Sequence, residues 1–78
     1  MTTLYLYSTL GCHLCEHALE VINPLIGGTQ YVLKEVDISE SDDLVERYGI
    51  RIPVVRRSDN SKELGWPFDT KQAQHFLS

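Results

Sequence analysis

Hydrophobic and polar positions change period several times along the chain, and each change marks an element. Thr3 to Ser8 reads T-L-Y-L-Y-S, with Leu4 and Leu6 on one face and Tyr5 and Tyr7 on the other. Bulk on both faces predicts a strand covered on both sides, as in a sheet flanked by helices. A short turn is expected over Thr9–Gly11. From His13 to about Ile22 the period becomes helical, with Leu14, Ala18, Leu19, Val21 and Ile22 at three- and four-residue spacing. Pro24 removes a helical donor and disfavours helical geometry at Asn23, so the helix is expected to stop there, and Gly27-Gly28 closes the segment.

Gln30 to Ile38 alternates again and predicts a second strand marked by Tyr31, Leu33 and Val36 or Ile38. Ser39 to Ser41 offer helix caps, Asp42 and Asp43 suit the positive end of a helix, and Leu44, Val45 and Tyr48 give it an apolar side. Gly49 is placed to end that helix as a C-cap. Ile50 to Arg57 reads as an extended lead-in and a third strand, and Asp59-Asn60-Ser61 as a hairpin turn, because Asp and Asn tolerate left-handed dihedrals. Lys62 to Trp66 supplies a short fourth strand. Asp69 then caps a last helix, with Gln72 as its capping-box partner and Ala73, Phe76 and Leu77 facing inward.

The order is strand, helix, strand, helix, strand, strand, helix. A strand–helix–strand unit implies a right-handed parallel crossover and the turn at Asp59 an antiparallel hairpin, so the expected fold is α/β, a mixed four-stranded sheet with three helices. A chain of 78 residues is expected to be one domain over 1–78, with a thin core. No repeat, linker or low-complexity segment interrupts it. The net charge of −4 and a pI near 5.1 argue against a nucleic-acid partner, which would need a basic face. No apolar stretch approaches the ~20 residues of a membrane span. Met1 to Tyr7 lacks the charged lead and apolar run of a signal peptide, so an intracellular, cytoplasmic and reducing location is expected. There, two cysteines three apart point to redox or metal chemistry and away from a structural staple.

Those cysteines, Cys12 and Cys15 in the run Cys12-His13-Leu14-Cys15, stand where the first strand gives way to the first helix. Unpaired N–H groups and the dipole at a helix start favour the thiolate, the reactive form of cysteine. Cys12 is therefore expected to be the nucleophile, and Cys15, one turn on, to resolve the mixed disulfide formed at Cys12. His13, if protonated near the Cys12 sulfur, would add to the thiolate's stability, while the carboxylate of Glu16 opposes it. The equally simple account of His13 is an exposed first-turn side chain.

Ile52-Pro53 follows Cys15 by 38 positions and comes after the second helix. Taken with the C-x-x-C at a helix start, it makes the sequence resemble the glutaredoxin and thioredoxin family over nearly all of the chain, roughly Thr3 to Leu77. The resemblance implies the thioredoxin fold in its glutaredoxin-like form. It also implies that Pro53 is cis and packs against the cysteines, and that the backbone of Ile52 pairs with the substrate chain. Gly65 and Asp69 match the glycine turn and acidic residue that hold glutathione in glutaredoxins, and Arg51, beside the proline, is a candidate carboxylate partner. The chain departs from that pattern in carrying His13-Leu14 between the cysteines, in lacking a basic residue at Tyr7, Ser8 or Thr9, and in placing Trp66 where the second glycine would be. With C-x-L-C and W-P-F-D, it looks more like a branch of short bacterial glutaredoxin-like proteins. For Trp66, core packing is favoured over a substrate platform.

The expected activity is thiol–disulfide exchange on disulfide-containing proteins or small thiols by a monomer that requires no cofactor. Thioredoxin reductase or glutathione would be the electron donor, and the departures imply weak or absent use of glutathione. One rival is a metal site using Cys12, Cys15 and His13 or His17, but structural zinc wants four ligands and no second C-x-x-C exists. The resemblance leaves room for an iron–sulfur cluster bridging two copies. Haem attachment fails on spacing, because Glu16 stands where histidine is needed. A thioredoxin-fold adaptor without catalysis is the remaining alternative.

Overall fold

Leu4 and Leu6 are shut away on one side of the first strand, and Tyr5 and Tyr7 pack on the other, as the two-sided pattern predicts. In this computed structural model, which describes residues 2–9 and 11–77, that strand is β1 (Thr2–Ser8). It runs parallel to β2 (Tyr31–Asp37), with Leu4 opposite Leu33. On its other side it is antiparallel to β3 (Val54–Arg57), with Leu6 opposite Val55. A hairpin from β3 adds β4 (Glu63–Gly65), giving the strand order β2-β1-β3-β4. Helices α1 (His13–Ile26), α2 (Asp42–Tyr48) and α3 (Thr70–Leu77) complete the predicted βαβαββα order. Of the turn expected over Thr9–Gly11, Leu10 lies outside the described residues.

The two sheet faces carry separate clusters. Leu4, Leu6 and Val55 meet Ala18 and Ile22 of α1, Phe68, and Ala73 of α3. Tyr7 and Val54 meet Ile38 and Tyr48 on the face that α2 covers. Among the described residues, no helix is long and apolar enough to cross a membrane.

Three local expectations are corrected. Helix α1 does not stop at Pro24 but runs on to Ile26. Pro24 and Glu20, whose carbonyl loses its donor, both lie on the exposed side, where water can serve the orphan acceptor, while Leu25 and Ile26 gain contact with the core. Strand β2 ends one residue early, because Asp37 caps a single 3₁₀ turn (Ile38–Glu40) by accepting from Ser39 N at 2.9 Å and Ser39 Oγ at 2.7 Å. Gly49 ends α2 as its C-cap, as expected, its N–H donating to the Val45 carbonyl at 2.8 Å with the backbone right-handed (φ −52°, ψ −34°). Its missing side chain matters for a close approach, since a Cβ there would run into the carbonyl oxygen of Val45. Val45 and Leu14, assigned to apolar helix sides, are about half exposed, the buried stripe of α2 passing through Leu44 and Tyr48 instead.

The hairpin forms where predicted, yet the positive φ falls on Ser61 (60°) and not on Asp59 or Asn60. Asn60 is held as an Asx turn, its Oδ1 accepting from Lys62 N at 2.9 Å, and Asp59 is clamped by Arg57. The capping box stands as read: Asp69 Oδ1 accepts from Gln72 N at 2.7 Å, and Gln72 Oε1 accepts from Asp69 N at 3.0 Å.

Candidate functional site

Cys12 is the N-cap of α1. Its backbone is extended (φ −83°, ψ 101°) and its sulfur accepts a hydrogen bond from the Cys15 N–H at 3.2 Å. The two sulfurs are joined as a disulfide, with the Cα atoms 5.3 Å apart. Cys12 is half-buried at the helix start, whereas Cys15 is buried, at 5% exposure. When the bond is reduced, the same N–H and the positive helix end are aimed at the Cys12 sulfur, where they favour the thiolate. Of the pair, Cys12 is thus the more open to solvent and Cys15 the more enclosed.

His13 points away into solvent, its side chain 91% exposed, and its Nδ1 lies 3.9 Å from Glu16 Oε2. The carboxylate of Glu16 is the neighbour the structure gives the imidazole. Among the described residues, no group of three His, Cys, Asp or Glu side chains is arranged to hold a metal ion.

The Ile52-Pro53 bond is cis, as the resemblance implies. Pro53 is fully buried and Ile52 half-buried. Since Tyr7 pairs with Val54, continuing the antiparallel register sets Pro53 opposite Ser8, at the end of the strand that leads into the cysteines. The Pro53 carbonyl accepts from Trp66 N at 3.0 Å, tying this corner to the end of β4. The loop before the proline hangs from α2: Arg51 N and Ile52 N both donate to the Tyr48 carbonyl, at 2.8 and 3.1 Å.

Tyr48 is the anchor of that loop. Its ring stacks on Tyr7 (centroids 4.3 Å apart, planes 13° apart), and its hydroxyl donates to Glu63 Oε2. Burial first, and then the hydrogen bond to Glu63, push the Tyr48 hydroxyl above the ordinary tyrosine range. The other oxygen of Glu63 lies 3.4 Å from Arg51 Nη2, and the Arg51 guanidinium sits over the Tyr48 ring at 5.6 Å. Arg51, expected to await a substrate carboxylate, is therefore already paired with one from its own chain. Sequence reasoning missed Glu63 altogether and read Tyr48 only as core. Nothing in the spacing marks Glu63, because its role comes from the β3–β4 hairpin swinging it across to α2.

Of the residues matched to a glutathione pocket, Gly65 lies opposite Val54 with open space where a Cβ would project. Asp69 is occupied in the α3 capping box. Trp66 packs on the core that α1 and α3 share, edge-on to Phe68 at 5.1 Å and with its ring centroid 6.4 Å from that of His17. A second cis bond, Trp66-Pro67, had no counterpart in the sequence reading.

Comparison with known proteins agrees with this geometry. The family model of the glutaredoxin-like domain (DUF836) matches residues 3–78. A structural-genomics crystal structure from X. campestris, target protein XcR50, is 35% identical, covers 95% of this chain and 93% of its own, and superposes with a TM-score of 0.82. The solution structure of protein Ne2328 from Nitrosomonas europaea is 28% identical over 99% of this chain and 92% of its own, with a TM-score of 0.83. A mutant thioredoxin from Halobacterium salinarum NRC-1, 19% identical over 97% of this chain and 71% of its own, shares the fold with a TM-score of 0.73. No curated protein matches the chain. With the family model spanning almost every residue, the chain belongs to the glutaredoxin-like domain family (DUF836) and carries the thioredoxin fold.

Proposed function

We propose that the protein is a thiol–disulfide oxidoreductase in which Cys12 is the nucleophile and Cys15 the resolver. The observation that carries this reading is the N-cap position of Cys12, whose more open sulfur already accepts the Cys15 N–H. The Cys12 thiolate attacks one sulfur of a substrate disulfide, forming a mixed disulfide and expelling the other sulfur, which takes up a proton. The Cys15 thiolate then attacks the Cys12 sulfur, forms the Cys12–Cys15 bond and releases the second substrate thiol. Two electrons pass to the substrate, and a dithiol donor returns them. In this scheme the Ile52 backbone aligns an extended substrate segment beside the cysteines, and Pro53 keeps that strand end in place.

The donor we favour is a reductase of the thioredoxin reductase class, with glutathione in a minor role. Arg51 is engaged by Glu63, Asp69 by Gln72, and Trp66 fills the position where glutaredoxins have glycine. Losing one charge-assisted contact costs on the order of 1.5–3 kcal/mol, a ten- to hundredfold loss of affinity. Substrates are protein disulfides or small mixed disulfides in a reducing, cytoplasmic compartment, met by the monomer without a cofactor. The test is reduction of a model protein disulfide with each donor. Cys12→Ser should abolish turnover, while Cys15→Ser should accumulate a mixed disulfide on Cys12. Full activity in Cys12→Ser refutes the mechanism, and turnover with glutathione equal to that with the reductase refutes the donor preference.

A further inference from the structure

Strand β4 forms one edge of the sheet, and α3 is tied to the same hairpin through Arg57. Between them opens a cleft of about 540 Å³, within the ordinary range for small-molecule sites. Leu64 and Phe76 give it an apolar floor, while Lys62, Lys71, His75 and Arg57 supply the polar wall. Neither cysteine, nor Ile52, Pro53 or Gly65, lines it.

The charge in this cleft runs against that of the chain. The protein has seven lysines and arginines and a net charge of −4, yet three of the seven line this one cavity. Among the described residues, no aspartate or glutamate lines it. Arg57 serves the frame: its guanidinium holds Asp59 at 2.7 and 3.0 Å and donates to the Phe76 carbonyl at 2.6 Å, fixing the end of α3 to β3. Lys62 and Lys71 are different, since neither has an ion pair among the described residues. Two ammonium groups without an ion pair among the described residues, lining a concave, partly apolar cavity, concentrate positive potential where a ligand would sit.

We propose that this cleft binds a small organic anion, its phosphate or carboxylate on Lys62 and Lys71 and its aryl or alkyl body on Leu64 and Phe76. The two parts of the site set the ligand class together. Inorganic phosphate satisfies the lysines but leaves the floor bare, and a neutral aromatic does the reverse. The site is independent of the dithiol, so it holds whether or not the redox reading does.

The test is titration of isotope-labelled protein with phenyl phosphate, benzoate, inorganic phosphate and phenol, followed by amide resonances. Phenyl phosphate or benzoate should give saturable shifts at Lys62, Leu64, Lys71 and Phe76, and the tighter of the two identifies the anion type. Inorganic phosphate and phenol should bind at least about tenfold more weakly. The Lys62→Gln/Lys71→Gln protein should lose at least about tenfold in affinity, with its unliganded spectrum otherwise unchanged. Lys62→Arg/Lys71→Arg should retain binding, and so should Cys12→Ser. Absence of saturable shifts in the cleft at millimolar ligand overturns the proposal. So does saturation elsewhere on the surface, equal affinity for phenol, or full binding by the double glutamine variant.

Discussion

Tyr48→Phe removes a single oxygen at the point from which the proline loop hangs. The ring remains and keeps its stack on Tyr7, and the backbone carbonyl that receives Arg51 N and Ile52 N is untouched. What goes is the hydroxyl bond to Glu63 Oε2. A hydrogen bond to a charged partner contributes roughly 1.5–3 kcal/mol, and the part exposure of Glu63 lets water replace some of it, so a loss of about 1.5–2 kcal/mol is expected. At about 4–8 °C per kcal/mol for a domain of this size, Tm should fall by roughly 6–16 °C. The assay is chemical and thermal unfolding of wild type, Tyr48→Phe, Glu63→Ala and the double variant. Direct coupling predicts that the double variant is about 1 kcal/mol or more less damaged than the sum of the two. Alkaline unfolding reads the same hydroxyl, which burial first and the Glu63 bond second hold above the ordinary tyrosine range. The folded hydroxyl titrates above the ordinary tyrosine value of about 10, so its contribution is complete below that value and lost as pH rises through the higher folded one. Wild type should lose more stability in that window than Tyr48→Phe does. Additive losses within about 0.3–0.5 kcal/mol, with parallel alkaline limbs, would refute the claim that this hydroxyl joins α2 to β4.

Two further outcomes follow from the same contacts. Asp69→Ala breaks the α3 capping box and should lower stability by about 1 kcal/mol, with Asp69→Asn recovering most of it in thermal melts. Asp59 is held below the ordinary aspartate range chiefly by its hydrogen bond from Arg57. Its contribution is therefore present above the ordinary value of about 3.9 and lost as pH falls through the depressed one, and Arg57→Met should flatten the acid limb of the stability curve.

The sheet and the cysteine pair were legible because each rests on a local pattern. The two-faced run Leu4 to Tyr7 can only be a covered strand, and a cysteine just before a helical period can only sit at its start. The Asp69–Gln72 box is equally local, needing no partner from elsewhere. What escaped depends on tertiary contact. Pro24 stays helical because Leu25 and Ile26 find the core beyond it. The positive φ moves to Ser61 because Asp59 is committed to Arg57 and Asn60 to Lys62. The Arg51–Glu63 pair was not legible because Glu63 is twelve residues away and reaches Arg51 only once the hairpin has formed.

The most direct test of the central claim is competition between the two thiols of the fully reduced protein for limiting alkylating agent, followed by mass spectrometry across a range of pH. The N-cap geometry predicts that Cys12 is labelled first and stays reactive below the ordinary thiol range of about 8–9, while Cys15 is modified slowly. Faster labelling of Cys15, or two cysteines reacting together as ordinary thiols, would contradict the assignment of Cys12 as the nucleophile.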